Sequence, residues 1–219
     1  MSHDTDFTAR RAAMVRDQIE DRGVHDPRVL AAMREVPRER FVRPGWQAQA
    51  CDDNPLPIEA GQTISQPYIV AFMAEALQLQ GGERVLEIGT GSGYAAAVLA
   101  RLAGQVHTVE RIALLAEHAA ATLAALGVAN VRVHHADGTL GWPEAAPYDA
   151  IVVTAAGPAV PAALRAQLAL GGRLVMPVGE FDGHQELLRL TRTGEHSEHR
   201  EVLMGVRFVP LTGAQGWPQ

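Results

Sequence analysis

Val85-Leu86-Glu87-Ile88-Gly89-Thr90-Gly91-Ser92-Gly93 joins an apolar run directly to three closely spaced glycines. Its first half is a short apolar strand, predicted over Arg84–Ile88. Its second half is a glycine loop opening into a helix predicted over Tyr94–Leu102. At such a turn glycines let a ligand approach the backbone, and the helix N-terminus offers unpaired N–H groups. The dinucleotide fingerprint is G-x-G-x-x-G. Here the spacing is G-x-G-x-G, with Tyr94 at the third-glycine position. Alone, such a loop is a weak signal, and its weight comes from what surrounds it.

Downstream, short apolar runs alternate with alanine-rich helical stretches. Strands are predicted at Gln105–Glu110, Val131–His135, Ala150–Thr154 and Arg173–Val178. Helices are predicted at Ile112–Leu126 and at Pro161–Leu170, the latter ended by Gly171-Gly172. Leu187–Thr191 and Val202–Phe208 read as an antiparallel pair closing the sheet. The expected class is α/β: a doubly wound, mostly parallel seven-stranded sheet with helices on both faces.

Upstream, residues 8–22 place Met14, Ile19 and several alanines at helical spacing, with Gly23 as a stop. Asp26-Pro27 reads as a cap and first turn for a helix over Arg28–Arg34. Between Phe41 and Pro67 the periodicity is lost among four prolines. The segment is either a long ordered loop or a disordered one, and such loops are commonly functional. A helix resumes over Tyr68–Leu79. One domain over 1–219 is expected, with 1–80 a helical and loop cap for substrate and 81–219 the α/β core.

Composition narrows the function. Of the 219 residues, 47% are hydrophobic and 20% charged, the balance of a globular protein. All 19 basic residues are Arg, which excludes Schiff-base lysine, pyridoxal-phosphate and P-loop chemistry. A net charge of −6 with dispersed Arg argues against nucleic-acid binding. Cys51 is the single cysteine, so neither an intrachain disulfide nor a cysteine-built zinc site is available, and no metal is expected. The polar N-terminus lacks a signal-peptide core, and no apolar run approaches membrane-spanning length. A cytoplasmic location, no membrane association and a monomeric state are expected.

Three successive strand ends carry polar chemistry. Glu110 follows Gly89 by 21 residues, where an acid accepts hydrogen bonds from both ribose hydroxyls. Asp137-Gly138 adds a second carboxylate after the third strand. Both acids also have plainer readings, Glu110 as a solvated strand end and Asp137 as a turn residue. With the glycine loop they converge on a nucleoside pocket outside the carboxyl ends of the strands.

Glu87–Gly93, Glu110 and Asp137 together resemble the cofactor motifs of class I S-adenosylmethionine-dependent methyltransferases, which implies their Rossmann-like fold. An acidic rim suits a cationic sulfonium and amino group better than a pyrophosphate. The stretch before the first strand is more specific. Leu56-Pro57-Ile58 and Gly61-Gln62-Thr63-Ile64-Ser65-Gln66-Pro67 resemble the signature of protein-L-isoaspartate O-methyltransferases. The likeness continues through EIGTGSGY (87–94), Val153–Ala156, GGRLVMPVG (171–179) and VRFVPLTG (206–213), nearly the whole chain in order. Two departures are Glu59-Ala60, where the family has a glycine-containing pair, and Cys51, often an aromatic.

The resemblance implies S-adenosyl-L-methionine as cofactor and L-isoaspartyl peptides or proteins as substrate, methylated on the free α-carboxylate. It implies Ser65 as the catalytic position. Gln62, Thr63, Ile64, Ser65, Glu87, Gly89, Gly91, Gly93, Glu110, Arg111, Asp137 and Gly138 are implied on the cofactor. Thr63, Ser65, Val153, Thr154, Ala155 and Ala156 are implied on the substrate, partly through backbone N–H groups. Ser65 also has the plainer reading of a cap for the helix after Pro67. Arg111 either stacks near the adenine or is simply solvated. Tyr68 and Trp46 either cover the peptide groove or pack in the cap, and Thr212 and Gln215 match a tail that reaches the site in relatives. A related methyltransferase acting on a small molecule or another protein site and an inactive cofactor-binding regulatory or interaction domain are the alternatives.

Overall fold

The structure, a computed structural model, describes residues 2–218, with side chains from Phe7 onward. The chain begins with helix α1 (Ser2–Met14), which widens into a π-helical turn (Val15–Ile19) and tightens into a 3-10 turn (Glu20–Arg22). Gly23, at φ +98°, ends the run as its sequence position suggests. The single helix expected over 8–22 is therefore three helical pieces that bury Met14, Val15 and Ile19. Helix α2 (Pro27–Glu35) starts on its expected cap, the Asp26 side chain accepting from the Arg28 N–H at 2.9 Å.

The segment 41–67 is an ordered loop. Strands β1 (Leu56–Pro57) and β2 (Thr63–Ile64) form a small antiparallel hairpin, pairing Leu56 with Ile64 and Pro57 with Thr63. Ala50, Leu56, Ile58 and Ile64 are buried beneath it. At its tip Ala60 has φ +55°, so the departure from glycine lies in the left-handed region. An L-residue there costs about 1 kcal/mol more than glycine.

Helix α3 (Pro67–Ala76) leads to strand β3 (Arg84–Ile88), helix α4 (Tyr94–Ala100) and strand β4 (Gln105–Glu110). Helix α5 (Ala113–Ala125), strand β5 (Val131–His135) and strand β6 (Tyr148–Val153) follow. Helix α6 (Ala162–Gln167) runs into strands β7 (Leu168–Gly179), β8 (Gln185–Arg192) and β9 (Glu198–Val206). The seven-stranded sheet has the order β5-β4-β3-β6-β7-β8-β9. Strands β3 to β7 pair in parallel, and β8 and β9 add antiparallel. This is the expected doubly wound sheet.

Side-chain alternation along the central strands divides the core. Val85, Ala150, Val152 and Val175 face one layer with the N-terminal helices, α3 and α4. Leu86, Ile88, Ile151, Val153, Leu174 and Met176 face the other, with Leu164 of α6. One boundary moves. The helix expected over Pro161–Leu170 ends at Gln167, because Leu168 turns extended and pairs with Tyr148 in the β6–β7 ladder.

His107 of β4 lies within the protein, 5% exposed, its Nδ1 3.0 Å from His134 Nε2. The His107 and His134 rings lie parallel, and His134 stacks on Trp142 at 4.0 Å. Tyr148 meets His107 edge-on, and Arg84 and Arg132 are the nearby cations. Burial, reinforced by His134 and these arginines, pushes the His107 pKa down to about 4. Between pH 6.5 and 4 the unfolded chain therefore binds a proton that the folded one refuses. His107's contribution is present above pH 6.5 and is lost as pH falls toward 4. Chemical unfolding across this window should show a shallower acid loss for His107→Phe than for the parent protein. Equal slopes would mean that His107 is not linked to acid stability.

Candidate active site

The parallel strands end at one cavity of ≈ 1120 Å³, and the order β4-β3-β6 puts the reversal of strand order around β3 at its floor. The glycine loop follows β3, with φ of +94°, +53° and +86° at Gly89, Gly91 and Gly93. Gly89 is constrained twice. Its backbone is in a region L side chains rarely adopt, and a Cβ there would collide with Thr154 Oγ1.

Glu110, 6% exposed at the end of β4, holds this loop. Its Oε2 accepts from the Gly91 N–H and its Oε1 from the Ile112 N–H, both at 2.9 Å. A carboxylate has about four acceptor positions, so one per oxygen is left for a ligand. Glu87 lies beneath the loop, fully buried and away from the cavity wall. Thr90 Oγ1 lies 2.6 Å from Thr108 Oγ1, which donates to Glu87 Oε2 at 2.5 Å. Burial pushes the Glu87 carboxyl up to about 8, with Glu110 adding to the rise. Glu87 thus reaches the cavity only through the hydroxyls of Thr108 and Thr90.

Opposite the glycine loop, Gln62, Thr63, Ile64 and Ser65 line the same cavity. Ser65 does not cap α3. The cap position is Gln66, whose side chain makes no capping bond, and the first-turn Tyr68 N–H donates to Asp53 Oδ1 at 3.1 Å. Asp53 also accepts from Gln66 Nε2 and pairs with Arg22, whose guanidinium lies 3.7 Å over the Tyr68 ring. Ser65 Oγ has no hydrogen bond among the described residues, so a half-buried hydroxyl is free beside the cavity.

Of the other sequence-predicted residues, Arg111, Gly138, Thr154 and Ala155 line the cavity. Gly93, Asp137, Val153 and Ala156 do not. Gly93 packs against Ala119 behind the loop. Val153 is fully buried within β6. The Thr154 N–H donates to Ile88 O and the Ala156 N–H to Val209 O, so neither is left for a substrate. Asp137 is taken up by the C-terminal tail: Oδ1 accepts from the Thr139 N–H and hydroxyl, and Oδ2 from the Ala214 N–H at 2.8 Å. These bonds and nearby Arg111 hold its carboxyl below the usual range despite burial. Tyr68 lines the cavity, whereas Trp46 does not. Thr212 also lines it, while Gln215 anchors the tail to Thr139 and Ala163.

The sequence reading missed the rest of the wall. Arg22, the Phe181–His184 turn and the segment 204–211 all line the cavity. Buried Gln185 joins the last two: its Oε1 accepts from the Phe208 N–H at 2.7 Å, and its Nε2 donates to Phe208 O and Glu180 O. The arrangement joins a glycine cradle, an acid with spare acceptors and two hydroxyls in one enclosure. It can hold a nucleoside bearing positive charge against a small anionic group.

A relative from Rhodopseudomonas palustris strain HaA2, protein-L-isoaspartate O-methyltransferase 1, is 63% identical over 213 residues, 97% of this chain and 87% of that protein. A second, from strain CGA009, is 66% identical over 206 residues, 94% of each chain. A solved protein-L-isoaspartate O-methyltransferase superposes with a TM-score of 0.86 at 30% identity, covering 95% of this chain and 67% of that one. A Plasmodium falciparum structure at 24% identity has a TM-score of 0.79 over 92% of this chain and 98% of its own, a likeness of fold. The family model for protein-L-isoaspartate(D-aspartate) O-methyltransferase matches residues 9–216, and the chain belongs to that family.

Proposed function

We infer that the protein transfers the methyl of S-adenosyl-L-methionine to the free α-carboxylate of L-isoaspartyl residues in peptides and proteins. The products are a methyl ester and S-adenosylhomocysteine. The observation that carries the reading is the unbonded Ser65 hydroxyl, with Thr63, on the same cavity as the glycine loop and Glu110. S-adenosyl-L-methionine, when bound, supplies an electrophilic methyl on a cationic sulfur.

Gly89 and Gly91 give the cofactor its close backbone approach, and Glu110 takes the ribose diol on its two spare acceptor positions. Glu87 supports the loop from beneath, and Asp137 acts by fastening the tail rather than from the cavity wall. Ser65 and Thr63 grip the substrate carboxylate. That carboxylate, with a pKa of about 4, is already ionised at neutral pH, so no general base is needed. It is a poor nucleophile, so the rate comes from alignment, an effect of about 7–11 kcal/mol in well-oriented systems. Ser65 is a holder here, not a covalent nucleophile.

Residues 1–80 and 81–219 act as one domain, a reading supported by a core cluster that joins Met33 and Val85. No helix among the described residues is long and apolar enough to cross a membrane. The reading further takes the protein as a cytoplasmic monomer without a nucleic-acid partner, the last supported by its net charge of −6. Incubation with methyl-labelled donor and an isoaspartyl peptide should give label that mild base releases as methanol. Base-stable label, or none with the cofactor bound, would overturn the reading.

A further inference from the structure

Arg38 lies in the 3-10 turn Arg38–Arg40 after α2 and is 0% exposed. Arg11 and Arg22 pair with Glu39 and Asp53, but Arg38 has no carboxylate within ion-pair distance among the described residues. Its guanidinium donates instead to three main-chain carbonyls. Nη1 donates to Ala50 O, and Nη2 to Asn54 O at 3.2 Å and Ser65 O at 2.9 Å. Its Cζ also lies 5.7 Å from the centre of the Tyr94 ring. Burial draws its pKa down, as expected for a cation removed from water without a counter-ion.

A buried unpaired charge is costly, and an apolar side chain of similar size would avoid that cost only by leaving three main-chain carbonyls without their donor. What the planar fork does that an apolar group cannot is gather carbonyls from residues 50, 54 and 65 at one point. The third belongs to the residue whose hydroxyl stands free beside the cavity. We propose that Arg38 is a positioning residue for methyl transfer, fixing the Ser65 backbone from behind so that its hydroxyl meets the substrate carboxylate in line. The proposal rests on the isoaspartyl reading. Because the rate depends on alignment, a displacement of about 1 Å can cost about a hundredfold.

Arg38→Lys separates positioning from charge, since an ammonium keeps the charge and three donors but not the rigid fork that holds these three carbonyls in fixed geometry. The expected result is a kcat for an isoaspartyl peptide lowered about tenfold or more. S-adenosylhomocysteine affinity should stay within about threefold, because the glycine loop and Glu110 are untouched. Hydrogen exchange should quicken at residues 62–66 and not in β3 or β4. In Arg38→Ala, added methylguanidinium should restore part of kcat where equal ionic strength of sodium chloride does not. An unchanged kcat in Arg38→Lys would overturn the proposal, as would a joint fall of kcat, cofactor affinity and Tm, or a failure of every Arg38 variant to fold. A parent protein inactive on the isoaspartyl peptide would instead overturn the functional reading itself, and the proposal with it.

Discussion

Ser65→Ala is expected to lower kcat for an isoaspartyl peptide by about a hundredfold, the loss expected when the reacting oxygen is no longer held in line with the methyl group. Affinity for S-adenosylhomocysteine should change by less than about threefold, because the cofactor's main holders lie elsewhere. The Ser65 hydroxyl lines the cavity and makes no hydrogen bond among the described residues, so removing it breaks no structural contact. Tm should therefore stay close to that of the parent. Steady-state kinetics and calorimetric titration on the same preparation provide both numbers. If kcat and cofactor affinity fell together, Ser65 would belong to the cofactor wall.

Glu110→Gln should act on the opposite quantity. The carboxylate accepts from the Gly91 and Ile112 N–H groups at 2.9 Å each, and a carboxamide has one accepting oxygen and one donating nitrogen. Whichever way the amide turns, one part-buried N–H faces another donor, at a cost of about 1 kcal/mol. The glycine loop loosens, and the ribose loses one of its two acceptors. Cofactor affinity should fall on the order of tenfold to a hundredfold, with a lower Tm in the absence of cofactor. An affinity within about twofold of the parent would mean that Glu110 neither holds the loop nor meets the ribose.

How much of this was legible in the sequence depended on whether the deciding contact was local. The turn from β3 through Gly89 to α4 was readable because an apolar run, glycines and a helical stretch follow one another directly. Glu110's place beside the glycine loop was readable because it ends the strand that follows that loop and its helix, 21 residues after Gly89. Asp137 was not, since it is held by Ala214, 77 residues away, through a tail whose path no local pattern encodes. The N–H groups of Thr154 and Ala156 are taken by Ile88 and Val209 for the same reason. Glu87 belonged to a recognisable motif, yet its depth became visible only once Thr108 and Thr90 stood between it and the cavity. The α6–β7 boundary moved because the pairing of Leu168 with Tyr148 outweighed a helical pattern. Ser65 had two sequence readings, cap or holder. A distant residue, Asp53, serves the helix and leaves the hydroxyl free.

The most direct test of the account is a pair of peptides identical except for one residue, L-aspartyl in one and L-isoaspartyl in the other, each incubated with methyl-labelled S-adenosyl-L-methionine. Base-labile label is expected on the isoaspartyl peptide alone, abolished or strongly reduced by Ser65→Ala. Equal labelling of the two isomers, or labelling that survives Ser65→Ala at the parent rate, would contradict it.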